Sequence, residues 1–117
     1  MNTRAIGAAY EDRAIQYLEG NRYTILARNY RCRIGEIDII AWDHTGEHPV
    51  LTFLEVKYRR SRKAGYPEES VTVRKQKTIR RVAEFFLMQN RITSDTPCRF
   101  DVIVFEGESL RHIVHAF

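Results

Sequence analysis

Two acidic residues and a lysine fall on neighbouring predicted strands, at positions that a hairpin would bring together. Asp38 lies in the first of these strands, and Glu55 and Lys57 lie in the second. The polar turn between the strands, residues 43–49, predicts that they pair antiparallel. Counting outward from the middle of this turn places Asp38 opposite Glu55, and Glu36 opposite Lys57. Because side chains alternate along a strand, we expect all four charges on one face.

Two carboxylates that face each other across a strand pair favour a cation between them. Their Cβ atoms would lie ~4.5–5.5 Å apart, where like charges repel and raise the pKa of one group. Mg²⁺ binds one or two carboxylates and leaves positions for phosphate oxygens. We therefore expect Asp38 and Glu55 to hold Mg²⁺, or Mn²⁺, with the backbone carbonyl of Val56 as a further ligand. Lys57 could orient the attacking water, stabilise charge on a phosphate or act as general base.

The same charges also have a purely structural interpretation. Glu36 and Lys57 could form a cross-strand ion pair, while Asp38 and Glu55 are solvated at the end of the hairpin. Glu11 lies at the border of the apolar face of the first predicted helix. It could supply a third carboxylate only if this helix packs beside the charged end of the hairpin.

A basic segment follows the hairpin. Ten of the 19 Lys and Arg residues, but only two of the 15 Asp and Glu residues, lie between Lys57 and Arg81. This clustering favours a polyanionic partner, which we expect to be DNA, with RNA as an alternative. A solvated helix face with an adjoining loop would give the same pattern. The expected phosphate-binding residues are Arg59, Arg60, Arg62, Lys63, Arg74, Lys75 and Lys77.

The hydrophobic pattern predicts the elements that position these residues. Helices are expected over 3–20 and from Ser70 or Thr72 to about Asn90. Strands are expected over 23–30, 35–42, 50–57, 99–105 and 110–116. This order predicts an α/β fold in one domain spanning residues 1–117, with a mixed sheet of about five strands and helices packed on it.

Composition excludes several other classes of protein. No apolar stretch approaches the ~20 residues of a membrane span, and the charged N-terminus does not resemble a secretory signal. We therefore expect a cytoplasmic protein without a membrane partner. Cys32 and Cys98 are far apart, and the four histidines lack paired-ligand spacing, so neither a disulfide nor a zinc site is expected. Asp101 is expected to be structural, tying its strand to a neighbouring loop.

Short motifs spread over residues 5–105 resemble the YraN-like family of bacterial proteins. These motifs are Gly7-x-x-x-Glu11-x-x-Ala14-x-x-Tyr17-Leu18, Leu26-x-Arg28-Asn29-Tyr30-Arg31, Gly35-Glu36-Ile37-Asp38, Glu55-Val56-Lys57-x-Arg59, Gly65-x-Pro67 and Arg99-Phe100-Asp101-Val102. The family is similar to the restriction-endonuclease-like superfamily and, in outline, to archaeal Holliday-junction resolvases. The resemblance implies an αβββαβ core and nuclease activity.

The resemblance also implies roles for individual residues. It assigns Asp38, Glu55 and Lys57 to the Asp and Glu-x-Lys signature of the superfamily, and Glu11 to a carboxylate of the first helix. Gln76 is a further candidate in the second helix, although no Tyr follows it at the spacing seen in those relatives. Ile37 stands where the signature often has Pro.

The leading functional hypothesis is a metal-dependent endonuclease that hydrolyses phosphodiester bonds in DNA, including structured or branched DNA. One alternative is a nucleic-acid-binding module without catalysis, in which the carboxylates form only an ion cluster. Another is a subunit that depends on a partner, as a homodimer or within a larger complex, and carries a vestigial site.

Overall fold

The computed structural model describes residues 3–59 and 71–117, and these residues form two helices and five strands. The elements are α1 (Thr3–Gly20), β1 (Tyr23–Arg31), β2 (Glu36–Asp43), β3 (Val50–Arg59), α2 (Val73–Gln89), β4 (Cys98–Glu106) and β5 (Ser109–Ile113). This confirms the predicted α/β class and the order αβββαβ with one further strand. No helix in the described ranges combines the length and apolar character that a membrane span requires.

The strands form one mixed sheet in the order β1-β2-β3-β4-β5. The pair β3 and β4 is parallel, and the other three pairs are antiparallel. Parallel neighbours need a crossover connection, and α2 lies on the chain between β3 and β4. The central strand β3 pairs with β2 as far as Leu54 and with β4 from Leu51 to Arg59, so the segment that carries Glu55 and Lys57 is held by β4.

Each helix covers its own hydrophobic cluster on the sheet. Ala14 and Leu18 of α1 pack with one set of buried strand residues. Ile79 and Val82 of α2 pack with another set. Thr72 is the N-cap of α2, and its side chain accepts a hydrogen bond from the Lys75 N–H at 3.2 Å. The two helical faces predicted from periodicity are thus both buried against the sheet.

The last strand is shorter than predicted. It ends at Ile113 rather than near residue 116. His115 adopts a left-handed backbone conformation with φ of 59°, and its N–H donates to Asp101 Oδ1 at 2.9 Å. The Ala116 N–H then donates to the Phe100 carbonyl at 2.8 Å. A buried carboxylate therefore turns the chain away from the ladder where hydrophobicity alone predicts its continuation.

Side chains do not alternate strictly along β2. Ile37 belongs to the same hydrophobic cluster as Ile40, whereas Ile39 belongs to the cluster under α1. Regular alternation along this strand would place Ile37 and Ile39 on one face, so that expectation is wrong here. Asn29 on the neighbouring strand has φ of 54° at the position across from Asp38. A left-handed residue departs from extended strand geometry, and the break in the alternation of β2 lies opposite it.

Candidate active site at a fork between two strands

Strands β2 and β3 separate at the predicted acidic positions. Their ladder has the predicted register from Trp42–Leu51 to Ile39–Leu54, and its last pair is Ile39–Leu54. Beyond that pair β2 continues alongside β1, and β3 continues alongside β4. We call this opening the fork. The expected backbone pairs of Asp38 with Glu55 and of Glu36 with Lys57 are not part of the ladder, because the strands have already diverged.

Asp38 bridges the fork with its side chain. Its Oδ2 accepts a hydrogen bond from the Val56 N–H at 2.8 Å. The carboxylate therefore occupies the place that a backbone carbonyl would take in a continued ladder. In an extended strand the N–H and C=O of one residue point towards the same edge. The Val56 carbonyl, predicted as a ligand, consequently faces the same opening as Asp38.

Glu55 is buried beside Asp38. It is 3% exposed, and Oε1 has no hydrogen-bond partner among the residues that the structure describes. Burial, followed by the negative charge of Asp38, raises the pKa of Glu55 to about 8, although the charges of Lys75 and Lys57 act in the opposite direction. The electrostatic repulsion predicted for the Asp38–Glu55 pair is therefore present, and it raises the pKa of Glu55.

These donors fit a hard divalent cation. A buried carboxylate oxygen without a partner is costly and is relieved by a positive charge. Asp38, Glu55 and the Val56 carbonyl offer oxygen only, which is the donor set of Mg²⁺ or Mn²⁺. Within residues 3–59 and 71–117, no group of three His, Cys, Asp or Glu residues is placed to hold a metal ion. A bound ion would therefore need solvent or phosphate oxygens to complete its coordination.

Two lysines act on Glu55. Lys57 follows Glu55 by two residues on β3, and its charge lowers the pKa of Glu55. Lys75 approaches from α2, with Nζ 3.8 Å from Glu55 Oε2. The sequence predicted Lys75 only as a phosphate-binding residue, because the packing of α2 beside the fork is a tertiary contact. Its position three residues after the N-cap Thr72 was the available signal.

Gly35 allows α2 to come this close. A Cβ at position 35 would lie 2.8 Å from Thr78 Cγ2 and 3.4 Å from Val82 Cγ2. Beside this contact lies an open groove with a volume of about 390 Å³. The groove is lined by Gly35, Glu36, Thr72, Arg74, Lys75, Thr78 and Ile79. A ligand in it would meet the N-terminal turn of α2 and the Lys75 side chain that contacts Glu55.

Glu36 is engaged elsewhere than predicted. Its Oε2 lies 2.9 Å from Arg31 Nε, across the β1–β2 pair, and both side chains are largely exposed. The expected ion pair with Lys57 is replaced by this contact, because Glu36 follows β1 and not β3 beyond the fork.

Glu11 is held by β1. Its Oε1 accepts hydrogen bonds from Asn29 Nδ2 at 3.0 Å and from Arg28 Nε at 3.4 Å. It is therefore connected to the irregular position that faces Asp38, and not grouped with Asp38 and Glu55 in one acidic cluster. A direct part for Glu11 in the site stays a prediction.

Four of the remaining predicted residues lie in the part of the chain that the structure describes. Gln76 Nε2 donates a hydrogen bond to the Val71 carbonyl at 3.0 Å, so this side chain binds the backbone just before α2 begins. Arg59 is partly buried and lies opposite Glu106 on β4. Arg74 and Lys77 are exposed on α2. The predicted phosphate-binding residues Arg60, Arg62 and Lys63 lie outside the described residues.

A second polar cluster lies on the α1 side of the sheet. Asp101 is fully buried and binds Arg99 Nε at 2.8 Å and His112 Nε2 at 2.7 Å. His112 Nδ1 is 2.8 Å from the Tyr17 hydroxyl, and Arg99 reaches Asp43 Oδ2 at 2.8 Å. The network joins α1, β2, β4 and β5, which confirms the structural interpretation of Asp101. Burial opposes ionisation of Asp101, but its bonds to His112 and Arg99 lower its pKa.

Comparison with known proteins gives the family. The sequence model described as "Uncharacterised protein family UPF0102" matches residues 10–105. A UPF0102 protein of Lachnoclostridium phytofermentans is 48% identical over 117 residues, which cover 100% of this chain and 96% of that protein. Similar proteins of Desulforamulus reducens and Fusobacterium nucleatum are 48% and 41% identical, covering 86% and 94% of this chain and 80% and 88% of theirs. The chain therefore belongs to family UPF0102, the YraN-like family to which its motifs pointed.

Proposed function

We propose that this protein is a metal-dependent endonuclease that hydrolyses phosphodiester bonds in DNA. The observation that carries the proposal is the buried Glu55 carboxylate, which lies beside Asp38 at the fork and has one oxygen without a partner in the described part of the chain. Burying one carboxylate beside a second, half-buried carboxylate that repels it is unfavourable. A cation-dependent reaction would explain why the carboxylates are held in this arrangement, whereas solvated charges at the end of a hairpin would not require it.

Asp38, Glu55 and the Val56 carbonyl would hold Mg²⁺ or Mn²⁺, and such an ion polarises a phosphate and stabilises the charge of phosphodiester cleavage. Asp38 is oriented for this role by the Val56 N–H. Lys57 extends from the same strand face as Glu55, where its ammonium can orient the attacking water or stabilise charge on the phosphate. It can also accept the proton of that water if its environment lowers its basicity.

The surface beside the fork is suited to a phosphate backbone. Arg74 and Lys77 are exposed on the first turns of α2, and Lys75, which contacts Glu55, lines the groove. Contacts from Lys and Arg to phosphates carry no sequence information. We therefore propose recognition of DNA by backbone and shape, which includes branched or otherwise structured DNA.

A cleavage panel tests the function. Supercoiled, single-stranded, flap and four-way-junction DNA are incubated with Mg²⁺, Mn²⁺ or chelator. We expect divalent-dependent cleavage of at least one substrate, which Asp38→Asn and Lys57→Met each reduce by about 10²–10³-fold. DNA affinity should change far less than cleavage. Asp95→Asn, an exposed acid in the loop before β4, is the matched control and should cleave normally.

Two results would contradict the proposal. Equal cleavage by wild type and Lys57→Met would place the activity outside this site. Tight DNA binding in chelator, with no cleavage of any substrate in either metal, would instead identify a binding module.

A further inference from the structure

We propose that Lys75 is a removable counter-ion of Glu55, which makes cation binding at the fork depend on nucleic acid. The inference rests on the proposed function and adds regulation to that same site. It concerns a residue on α2, away from the hairpin that carries Asp38, Glu55 and Lys57.

The first step is competition for one carboxylate. Lys75 Nζ lies 3.8 Å from Glu55 Oε2, and the Glu55 side chain is 4% exposed. An ammonium at this distance partly neutralises a carboxylate that water cannot reach. A divalent cation on Glu55 would meet the positive charge of Lys75. The contact that stabilises the free protein therefore opposes metal binding.

The second step is that Lys75 can leave. Its side chain is 43% exposed and lines the open groove. A lysine stem is long and flexible, so its ammonium can move from Glu55 to a ligand in the groove at little cost.

The third step is that the groove favours an anion. The first turn of α2 contains Arg74 and Lys75 and no acidic residue. Cations at a helix N-terminus are unfavourable, because the positive end of the helix dipole and the free N–H groups face them. A phosphate relieves this repulsion. Glu36 also lines the groove and would repel a phosphate, but Arg31 partly neutralises it at 2.9 Å.

The consequence is thermodynamic coupling. A DNA phosphate in the groove draws Lys75 away from Glu55, so the cation binds more tightly in the complex than in the free protein. Because coupling is reciprocal, the cation must strengthen DNA binding by the same factor. The free protein would therefore hold metal weakly, and the site would become complete on its substrate.

Manganese affinity tests this coupling without using cleavage as the readout. The Kd for Mn²⁺ is measured from free Mn²⁺ by electron paramagnetic resonance, with and without a saturating phosphorothioate DNA duplex. The pH is kept above the pKa of Glu55, so that protons do not compete. For wild type we expect the duplex to lower this Kd about 10-fold, within the usual range of coupling between sites.

Lys75→Met, or Lys75→Gln if the first variant is poorly folded, should bind Mn²⁺ about 10-fold more tightly without DNA. Its affinity should then change little when the duplex is added. Arg81→Met removes an exposed charge from the same helix, at a residue outside the proposed phosphate-binding set, and should keep the coupling of wild type.

The outcomes separate the two proposals. If wild type binds Mn²⁺, Asp38→Asn abolishes that binding, and Lys75→Met leaves the Kd unchanged or weaker without DNA, the coupling is overturned and the proposed site stands. If wild type binds no Mn²⁺, or Asp38→Asn binds it normally, the proposed site and the coupling fall together.

Discussion

Glu55 has opposite effects on stability and on the proposed activity. Its carboxylate is buried in a sheet whose buried residues are mostly apolar, and Asp38 adds a second negative charge. Natural sites often retain such destabilising groups because ligands offset them. Stability measured without metal should therefore reveal the site before any substrate is known.

Replacing Glu55 by Gln should stabilise the metal-free protein at alkaline pH. The folded-state pKa of Glu55 is raised to about 8, so the folded protein binds this proton more tightly than the unfolded chain. Glu55 therefore contributes to the stability of the wild type at acidic pH. This contribution is lost as the pH rises from the pKa of Glu55 in the unfolded chain through its pKa in the folded protein. At pH above 8, Glu55→Gln should have a larger free energy of unfolding, by about 1–3 kcal/mol.

Thermal and denaturant unfolding across pH, with chelator present, measure this difference. Glu84→Gln removes an exposed carboxylate from α2 and serves as control. If the free energies of unfolding of Glu55→Gln and wild type changed in parallel with pH, the pKa of Glu55 would not be raised in the folded protein.

The sequence identifies the residues of β2 and β3 better than their surroundings. Asp38, Glu55 and Lys57 follow from strand periodicity and from one short turn, which are local features. The approach of Lys75 could not be predicted, because it depends on how α2 crosses the sheet. The partner of Glu36 was also missed, because the hairpin register alone does not reveal that β2 and β3 separate.

At the scale of elements, the position of α2 decides whether Lys75 reaches Glu55. Gly35 precedes β2 and faces Thr78 and Val82 on this helix. Periodicity predicts the helix, its N-cap and its buried face. It does not predict the distance between helix and sheet, which this glycine sets.

Gly35→Ala should destabilise the protein and disturb the fork. The added methyl would lie 2.8 Å from Thr78 Cγ2, on a β-branched side chain with little freedom in a helix. Overpacking of this kind costs about 1–3 kcal/mol. The shift of α2 should also increase the Lys75–Glu55 separation, visible as a change in the pH dependence of unfolding.

Gly7→Ala is the matched control. Gly7 lies within α1, and a Cβ there meets nothing within 4 Å. Alanine favours a helix over glycine by about 1 kcal/mol, so this variant should be as stable as wild type or more so. Equal stability of Gly35→Ala and Gly7→Ala would contradict the close packing of α2.

At the scale of elements, the errors in the predicted strands also have local causes. The observed end of β5 and the sheet face on which Ile37 lies both differ from the prediction, and each is near a residue with a left-handed backbone. Both left-handed residues contact polar side chains. His115 turns towards Asp101, and Asn29 both breaks the pleat and binds Glu11. Hydrophobic periodicity contains no signal for these backbone states, although Asn tolerates them more readily than most residues.

For the whole molecule, the net charge of +4 matters less than its arrangement. Exposed Arg74 and Lys77 lie beside the fork, whereas Arg22 and Arg91 lie in turns next to the C-terminal ends of the two helices. If DNA binds along the groove, only the first pair neutralises phosphates. The salt dependence of binding can distinguish the two pairs.

The double variant Arg74→Gln/Lys77→Gln should lower the slope of log affinity against log salt by about 2, because each duplex phosphate contact contributes roughly 0.9. Affinity should fall similarly for all DNA sequences. The control Arg22→Gln/Arg91→Gln removes the same charge and should leave the slope nearly unchanged. If the two double variants reduce the slope equally, DNA does not bind at the proposed surface.

The parallel pairing of β3 with β4 implies an order of assembly. Strands β1, β2 and β3 are neighbours along the chain and can associate through short loops, whereas β4 must wait for α2 to cross the sheet. Contacts between distant residues form more slowly than local ones. A nascent chain would thus bring Asp38 and Glu55 together before Lys75 of α2 arrives, so the repulsion between the two carboxylates would be uncompensated until α2 packs on the sheet.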